Sequence, residues 1–206
     1  MAPKFIYFDL GNVLLFFDHA LSARQMAAAA GLTEGQVREA VFDSGLQWQY
    51  EAGQVTSQQF YEEFCRRTDR RPDYKALAHA AGAIFRMNGS MKPVLSHLKE
   101  CGHRVGLLSN TCEMHWDYFT DGRYAMIPDV FDVVTLSFRV GAMKPDPKIY
   151  AAAAEAAHVR PEEIFFMDDT AGHVAGARAC GFDAVQYTDT PTLVADLRKR
   201  GVRFNY

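Results

Sequence analysis

Phe5-Ile6-Tyr7-Phe8-Asp9-Leu10-Gly11-Asn12-Val13-Leu14 begins with a short aromatic and β-branched run that stops at an aspartate. Apolar residues that run on rather than alternate predict a strand buried on both faces, the habit of a parallel sheet. Four later stretches share this character: Arg104–Leu108 ending at Ser109, Val130–Leu136, Ile164–Met167 ending at Asp168-Asp169, and the weaker Asp183–Tyr187. Helical patterns separate them. Pro93–Glu100 sets Val94, Leu95 and Leu98 on one face and meets Gly102. Asp146-Pro147 supplies a cap and first residue for Lys148–His158, Thr170–Cys180 stops at Gly181, and Thr192–Arg200 ends before Gly201. Each boundary has ordinary capping chemistry.

One connection is too long. A β-α-β unit needs about 30 residues, yet 100 separate Asp9 from Ser109. The surplus is itself helical. Ala20–Ala30 stops at Gly31, and Thr33-Glu34-Gly35-Gln36 and Thr56-Ser57-Gln58-Gln59 are capping boxes. Pro72 then breaks the chain before Tyr74–Phe85. The expected fold is therefore α/β, a Rossmann-like parallel sheet core with helices on both faces and an inserted α-helical cap. Its core takes residues 1–17 and 88–206, and the cap takes 18–87.

Composition narrows the function. The 206 residues carry 22 basic and 25 acidic side chains, a net charge of −3, which gives no electrostatic footprint for nucleic acid. No apolar run spans a membrane. The opening Met1-Ala2-Pro3-Lys4 has no secretory pattern, so a cytoplasmic chain is expected. Cys65, Cys101, Cys112 and Cys180 form no C-x-x-C pair and read as free thiols of a reducing compartment. The basic run Arg66–Arg71 reads as a solvated helix end.

In a doubly wound sheet, ligands bind beyond the carboxyl ends of the strands. The residues there are Asp9, Ser109-Asn110 and Asp168-Asp169, with Lys144 in the loop after the third strand. Singly, each suits a turn or helix entry. Together they suit phosphoryl chemistry. Carboxylates from two strands can hold Mg²⁺, which prefers oxygen ligands. A hydroxyl, helix-start N–H groups and a lysine can neutralise phosphate oxygens. A remaining carboxylate can attack phosphorus.

These four pieces, Phe8–Leu14, Leu107-Leu108-Ser109-Asn110-Thr111, Gly141-Ala142-Met143-Lys144-Pro145-Asp146 and Phe165–Asp169, resemble the motifs of the haloacid dehalogenase-like (HAD) hydrolases. The resemblance covers essentially the whole chain. It implies Asp9 as the nucleophile, Ser109 and Asn110 at the phosphate, and Lys144 pairing with both. It implies Asp9, Asp169 and the Gly11 carbonyl as Mg²⁺ ligands, with Asp168 as the partner of Asp169. The insertion corresponds to a C1-type cap that selects substrates. The implied activity is Mg²⁺-dependent hydrolysis of a small phosphorylated metabolite through an aspartyl phosphate, by a monomer or homodimer that binds neither nucleic acid nor membrane.

Two positions depart from the family pattern. Most of its phosphatases carry a second Asp, the acid–base group, where this chain has Gly11. Asp-Leu-Gly-Asn-Val and Tyr50-Glu51-Ala52-Gly53 resemble the subgroup similar to glucose-1-phosphate phosphatase, for which a sugar phosphate is the implied substrate. Asp18, Glu51 and His115 are candidate proton donors in its place. His173 stands where relatives often have Asn or Asp; it suits a surface histidine or a partner of the metal-site carboxylates. The alternatives are a metal-independent 2-haloacid dehalogenase, which has little use for paired acids, and a non-catalytic phosphate-binding protein, to which Gly11 points.

Overall fold

The computed structural model describes residues 2–124 and 126–206. In chain order its elements are β1 (Phe5–Phe8), β2 (Leu15–Phe17), α1 (His19–Ala30), α2 (Glu34–Val37), α3 (Leu46–Glu51), α4 (Ser57–Thr68), α5 (Tyr74–Gly82) and β3 (Phe85–Met87). There follow α6 (Met91–Glu100), β4 (Val105–Ser109), α7 (Glu113–Phe119), β5 (Val133–Leu136), α8 (Ser137–Val140) and α9 (Pro147–Ala157). The chain closes with β6 (Ile164–Asp168), α10 (Ala171–Ala179), β7 (Asp183–Gln186) and α11 (Thr190–Lys199). A π-helical stretch, Arg38–Asp43, continues α2.

Five strands form one parallel sheet in the order β5-β4-β1-β6-β7. Successive residues of β1 explain why its apolar run is unbroken. Ile6 and Phe8 pack against α6 and α11 on one face, and Phe5 and Tyr7 pack against α9 and α10 on the other. The outer strands β5 and β7 are only half covered. The chain leaves β1 towards β4 and β5, then returns past it to β6 and β7, so the strand order reverses at β1 and opens a crevice beyond its carboxyl end.

Helices α1 to α5 surround an apolar cluster of their own, including Met26, Val41, Tyr50, Phe60, Phe64 and Leu77, to which Met114 of α7 and Cys112 just before it are added. Both expected capping boxes form, and Gly31 ends α1 in the left-handed region. A short antiparallel ribbon, β2 with β3, brackets this helical segment.

Four local expectations need correction. The stretch Val130–Leu136 is strand only from Val133, because the amides of Val130 and Phe131 are spent on turn bonds to Met126 and Pro128. The last inserted helix ends at Gly82 rather than Phe85, whose backbone pairs with Phe17 in the ribbon. The segment holds a further helix, α3, between the two capping boxes. The core holds α7 between β4 and β5. Among the described residues no helix is long and apolar enough to cross a membrane.

Candidate active site

Asp9 leaves β1 at the centre of the sheet, where its N–H donates to the Met167 carbonyl at 3.0 Å. Its neighbours on either side supply the rest of the site: Ser109 ends β4, and Asp168 ends β6 with Asp169 one residue beyond. The sheet thus gathers residues 100 and 159 positions apart in sequence from Asp9.

Lys144 lies at the middle of the cluster and is 3% exposed. Its Nζ donates to Asp9 Oδ1 at 2.7 Å, Asp168 Oδ2 at 2.6 Å and the Leu108 carbonyl at 3.0 Å, which uses all three of its protons. Burial opposes its charge, but the two carboxylates outweigh that and hold the ammonium pKa above the ordinary value. Asn110 braces the lysine from behind. Its Nδ2 donates to the Lys144 carbonyl at 3.0 Å and its Oδ1 accepts from Lys144 N at 2.8 Å. The Asn110 side chain is thereby committed to the Lys144 loop. Ser109 is buried, and among the described residues its hydroxyl makes only a long 3.3 Å bond to the Asn110 carbonyl.

The two adjacent aspartates differ. Asp168 is wholly buried, and both of its oxygens are engaged by Lys144, Thr170 N at 2.8 Å and His173 Nδ1 at 3.1 Å. Burial works against its ionisation, but Lys144 and His173 win and hold its pKa below the usual value. Asp169 is more open. Its Oδ2 accepts from Asn12 Nδ2 at 2.9 Å, and Asn12 adopts φ 54, in the left-handed region that asparagine tolerates. Asp9 has one cation for a neighbour and a second carboxylate close by. Burial, assisted by Asp168 and opposed by Lys144, pushes its pKa up to about 7.

One carboxylate oxygen from each of Asp9, Asp168 and Asp169 lies within 4.8 Å of the other two. Three carboxyl groups against one ammonium leave an excess of negative charge on oxygen donors, which suits a hard divalent cation such as Mg²⁺. Asp168 has the least to offer it, because its oxygens already have donors. Asp9 and Asp169 keep oxygens less engaged than those of Asp168, and both line the cavity, as does Gly11.

The cavity above the cluster holds about 240 Å³. Its floor is Asp9, Ser109, Lys144 and Asp169, and its walls include Phe17, Ile84 and Phe85, with His19, Glu51 and His115 as further titratable groups. Of the candidate proton donors, Glu51 and His115 therefore reach the cavity. Asp18 does not line it: its Oδ1 caps α1, accepting from Ala20 N and Leu21 N. His19 was not anticipated; a lone histidine after Asp18 carries no signal in sequence. For His173 the structure favours the carboxylate-partner role, since its ring faces Asp168 rather than solvent.

A family model described as "Hydrolase: haloacid dehalogenase-like hydrolase" matches residues 3–181. The chain is 27% identical over 219 residues to bifunctional epoxide hydrolase 2 of Sus scrofa, covering 97% of this chain and 39% of that protein. It thus spans about two fifths of that relative's length. It is 26% identical over 191 residues to D-ribitol-5-phosphate phosphatase of Bacteroides thetaiotaomicron, covering 89% of this chain and 91% of that one. A crystal structure of a HAD family enzyme from the same organism, in complex with magnesium and inorganic phosphate, superimposes with a TM-score of 0.83 at 24% identity, over 93% of this chain and 99% of that one.

Proposed function

We propose that this chain, which belongs to the haloacid dehalogenase-like hydrolase family, is a Mg²⁺-dependent phosphatase of a small phosphate monoester. The observation that carries it is the Lys144 ammonium held between Asp9 and Asp168, with Asp169 alongside, under a cavity of about 240 Å³. That volume suits a small metabolite. The D-ribitol-5-phosphate phosphatase relative supports a sugar or polyol phosphate.

In this reading Asp9 attacks phosphorus in line with the leaving oxygen and carries the phosphoryl group as an aspartyl phosphate, which water then hydrolyses. Ser109 Oγ binds one equatorial oxygen, and Lys144 Nζ turns the proton it gives Asp9 Oδ1 to another as that carboxylate takes the phosphoryl group, keeping its bonds to Asp168 and the Leu108 carbonyl. Asp168 takes no phosphoryl group; it fixes the lysine, and His173 fixes Asp168. Asp9, Asp169 and the Gly11 carbonyl hold the Mg²⁺. When bound, the ion offsets the repulsion between an anionic nucleophile and an anionic substrate. Residues 18–87 close over the cavity and choose the substrate.

The test is a screen of small phosphate monoesters with Mg²⁺ and with EDTA, run beside Asp9→Asn. Turnover with Mg²⁺, lost in EDTA and in Asp9→Asn, is expected. Full phosphatase rate in Asp9→Asn overturns the covalent step, and EDTA-resistant halide release from a 2-haloacid restores the dehalogenase alternative.

A further inference from the structure

Phosphoryl transfer to Asp9 leaves an alkoxide that needs a proton, and Gly11 has no side chain to give one. Resting on the phosphatase reading above, we infer that Glu51 is the group that exchanges this proton. Three observations single it out from the titratable groups of the cavity wall.

The first is placement. The Glu51 carbonyl accepts from Ser137 Oγ at 2.6 Å, and the same hydroxyl accepts from Thr111 N at 2.9 Å. Thr111 lies two residues after Ser109, so one buried serine ties the Glu51 backbone to the loop that carries the phosphate-binding hydroxyl. Two residues on, Gly53 adopts φ 69 and presses against the backbone of Phe138, where an added Cβ would stand 2.3 Å from the Phe138 carbonyl oxygen. The end of α3 is therefore seated on the core rather than hanging free.

The second is an available atom. Gln47 Nε2 donates to Glu51 Oε1 at 2.8 Å and sets the plane of the carboxyl group. Oε2 has no protein partner among the described residues. Glu51 also lines the cavity together with Asp9 and Lys144.

The third is chemistry. Burial raises the Glu51 pKa, so its carboxyl keeps a proton more firmly than an exposed glutamate does. His115 is the opposite case: burial holds its pKa down to about 4, and a neutral imidazole is a poor acid. His19 lines the cavity as well, but the desolvation of its ring lowers its pKa, so it too holds a proton less firmly.

The step balances. Asp9 Oδ bonds to phosphorus as the P–O ester bond breaks, and the leaving oxygen takes the Glu51 proton to become an alcohol. In the second half a water attacks the aspartyl phosphate and gives its proton to the Glu51 carboxylate. The Asp9–phosphorus bond breaks, and inorganic phosphate leaves with both carboxyl groups restored.

Glu51→Gln tests this with two esters, a primary alkyl phosphate and p-nitrophenyl phosphate, whose leaving group needs no proton. We expect kcat/KM for the alkyl ester to fall by about 10²-fold or more, in the range of acid–base catalysis, and for the aryl ester by less than about tenfold. Equal losses for the two esters, or none for either, overturn the assignment while the phosphatase reading stands. Wild-type protein that turns over neither ester, or Asp9→Asn that keeps full rate, overturns the phosphatase reading itself. Should Glu51→Gln not fold, the wild type alone decides: kcat/KM across a series of aryl and alkyl esters should vary little with leaving-group basicity. A steep dependence means that no acid meets the leaving oxygen and removes Glu51 from the mechanism.

Discussion

Asn110 and Lys144 grip one another reciprocally, the asparagine side chain taking both backbone polar groups of the lysine, at 3.0 and 2.8 Å. A loop and a strand end that share no secondary structure are thus locked in register, and the ammonium on that loop is aimed at Asp9. Asn110→Ala strands a buried N–H and a buried C=O. Each such group costs about 1–3 kcal/mol, so a destabilisation of about 2–6 kcal/mol in urea unfolding is expected, together with a fall in kcat. Asn110→Asp keeps the acceptor for Lys144 N but turns an oxygen towards the Lys144 carbonyl. It should be no more stable than the alanine variant, and wild-type stability in either would show that the loop holds itself.

Among the described residues the Lys144 ammonium is the only side-chain donor to Asp9 and one of two to Asp168. Its removal leaves two buried carboxyl groups facing each other without a cation. Breaking a buried ion pair from one side costs about 3–5 kcal/mol, and Lys144→Met should lose that much. Adding Asp9→Asn removes one of the two stranded charges and should return part of it. Urea unfolding of the single and double variants in EDTA measures both. A double variant less stable than Lys144→Met would mean that the methionine, not the charge, is what the site rejects.

His115 gives the fold an acid-side weakness. Burial, helped by the nearby His19 and opposed by the Ala81 carbonyl, lowers its pKa from 6.5 to about 4. Between those values the unfolded chain binds a proton that the folded chain refuses. Stability is therefore unaffected by this group above about pH 6.5, falls as pH drops towards 4, and falls no further below. With about 1.4 kcal/mol for each tenfold change in proton affinity, the lowering from 6.5 to about 4 corresponds to about 3 kcal/mol. His115→Gln cannot take up the proton, so its stability should decline less between pH 6.5 and pH 4 than that of the wild type. Parallel urea titrations at pH 7, 5.5 and 4 decide it; identical slopes would clear His115 of the effect.

The parts of the molecule legible in sequence are those whose signal is local. β1 and β6 are continuous apolar runs because both faces of the sheet are covered, and Asp9 and Asp168 mark where those runs stop. Gly31 and the two capping boxes state their helix boundaries in one turn of chain. What escaped is set by distant partners. Helix α3 is six residues long, begins at Gly45 in the left-handed region without a side-chain cap, and carries too few apolar positions to show a period. The strands β2 and β3 have three residues each and pair only because the helical segment brings Phe17 and Phe85 together. The sequence puts Asn110 at the site and reads His173 first as a surface histidine; their tasks, holding the Lys144 backbone and the Asp168 carboxylate, depend on contacts 34 and 5 residues away.

Gly11 and Phe17 are coupled in the same way. A Cβ on Gly11 would lie 2.8 Å from Phe17 Cε1, inside contact distance, so the ring fills the space that an aspartate side chain at position 11 would need. That ring is held in turn by an edge contact to His19 and a tilted one to Phe85, with centroids 4.9 and 6.3 Å away. Gly11→Asp alone must push Phe17 aside, and overpacking of this kind costs about 1–3 kcal/mol. We expect that single variant to be destabilised and to gain no activity on alkyl phosphates. Gly11→Asp combined with Phe17→Leu frees the space, and its kcat on the alkyl ester should exceed that of Gly11→Asp by at least about tenfold, a modest part of what acid–base help supplies. With a second acid present, Glu51→Gln should then cost the triple variant less than it costs the wild type. If instead the Glu51 penalty is undiminished while the alkyl rate has risen, the new carboxyl and Glu51 serve different steps, and the exchange of roles between positions 11 and 51 is wrong.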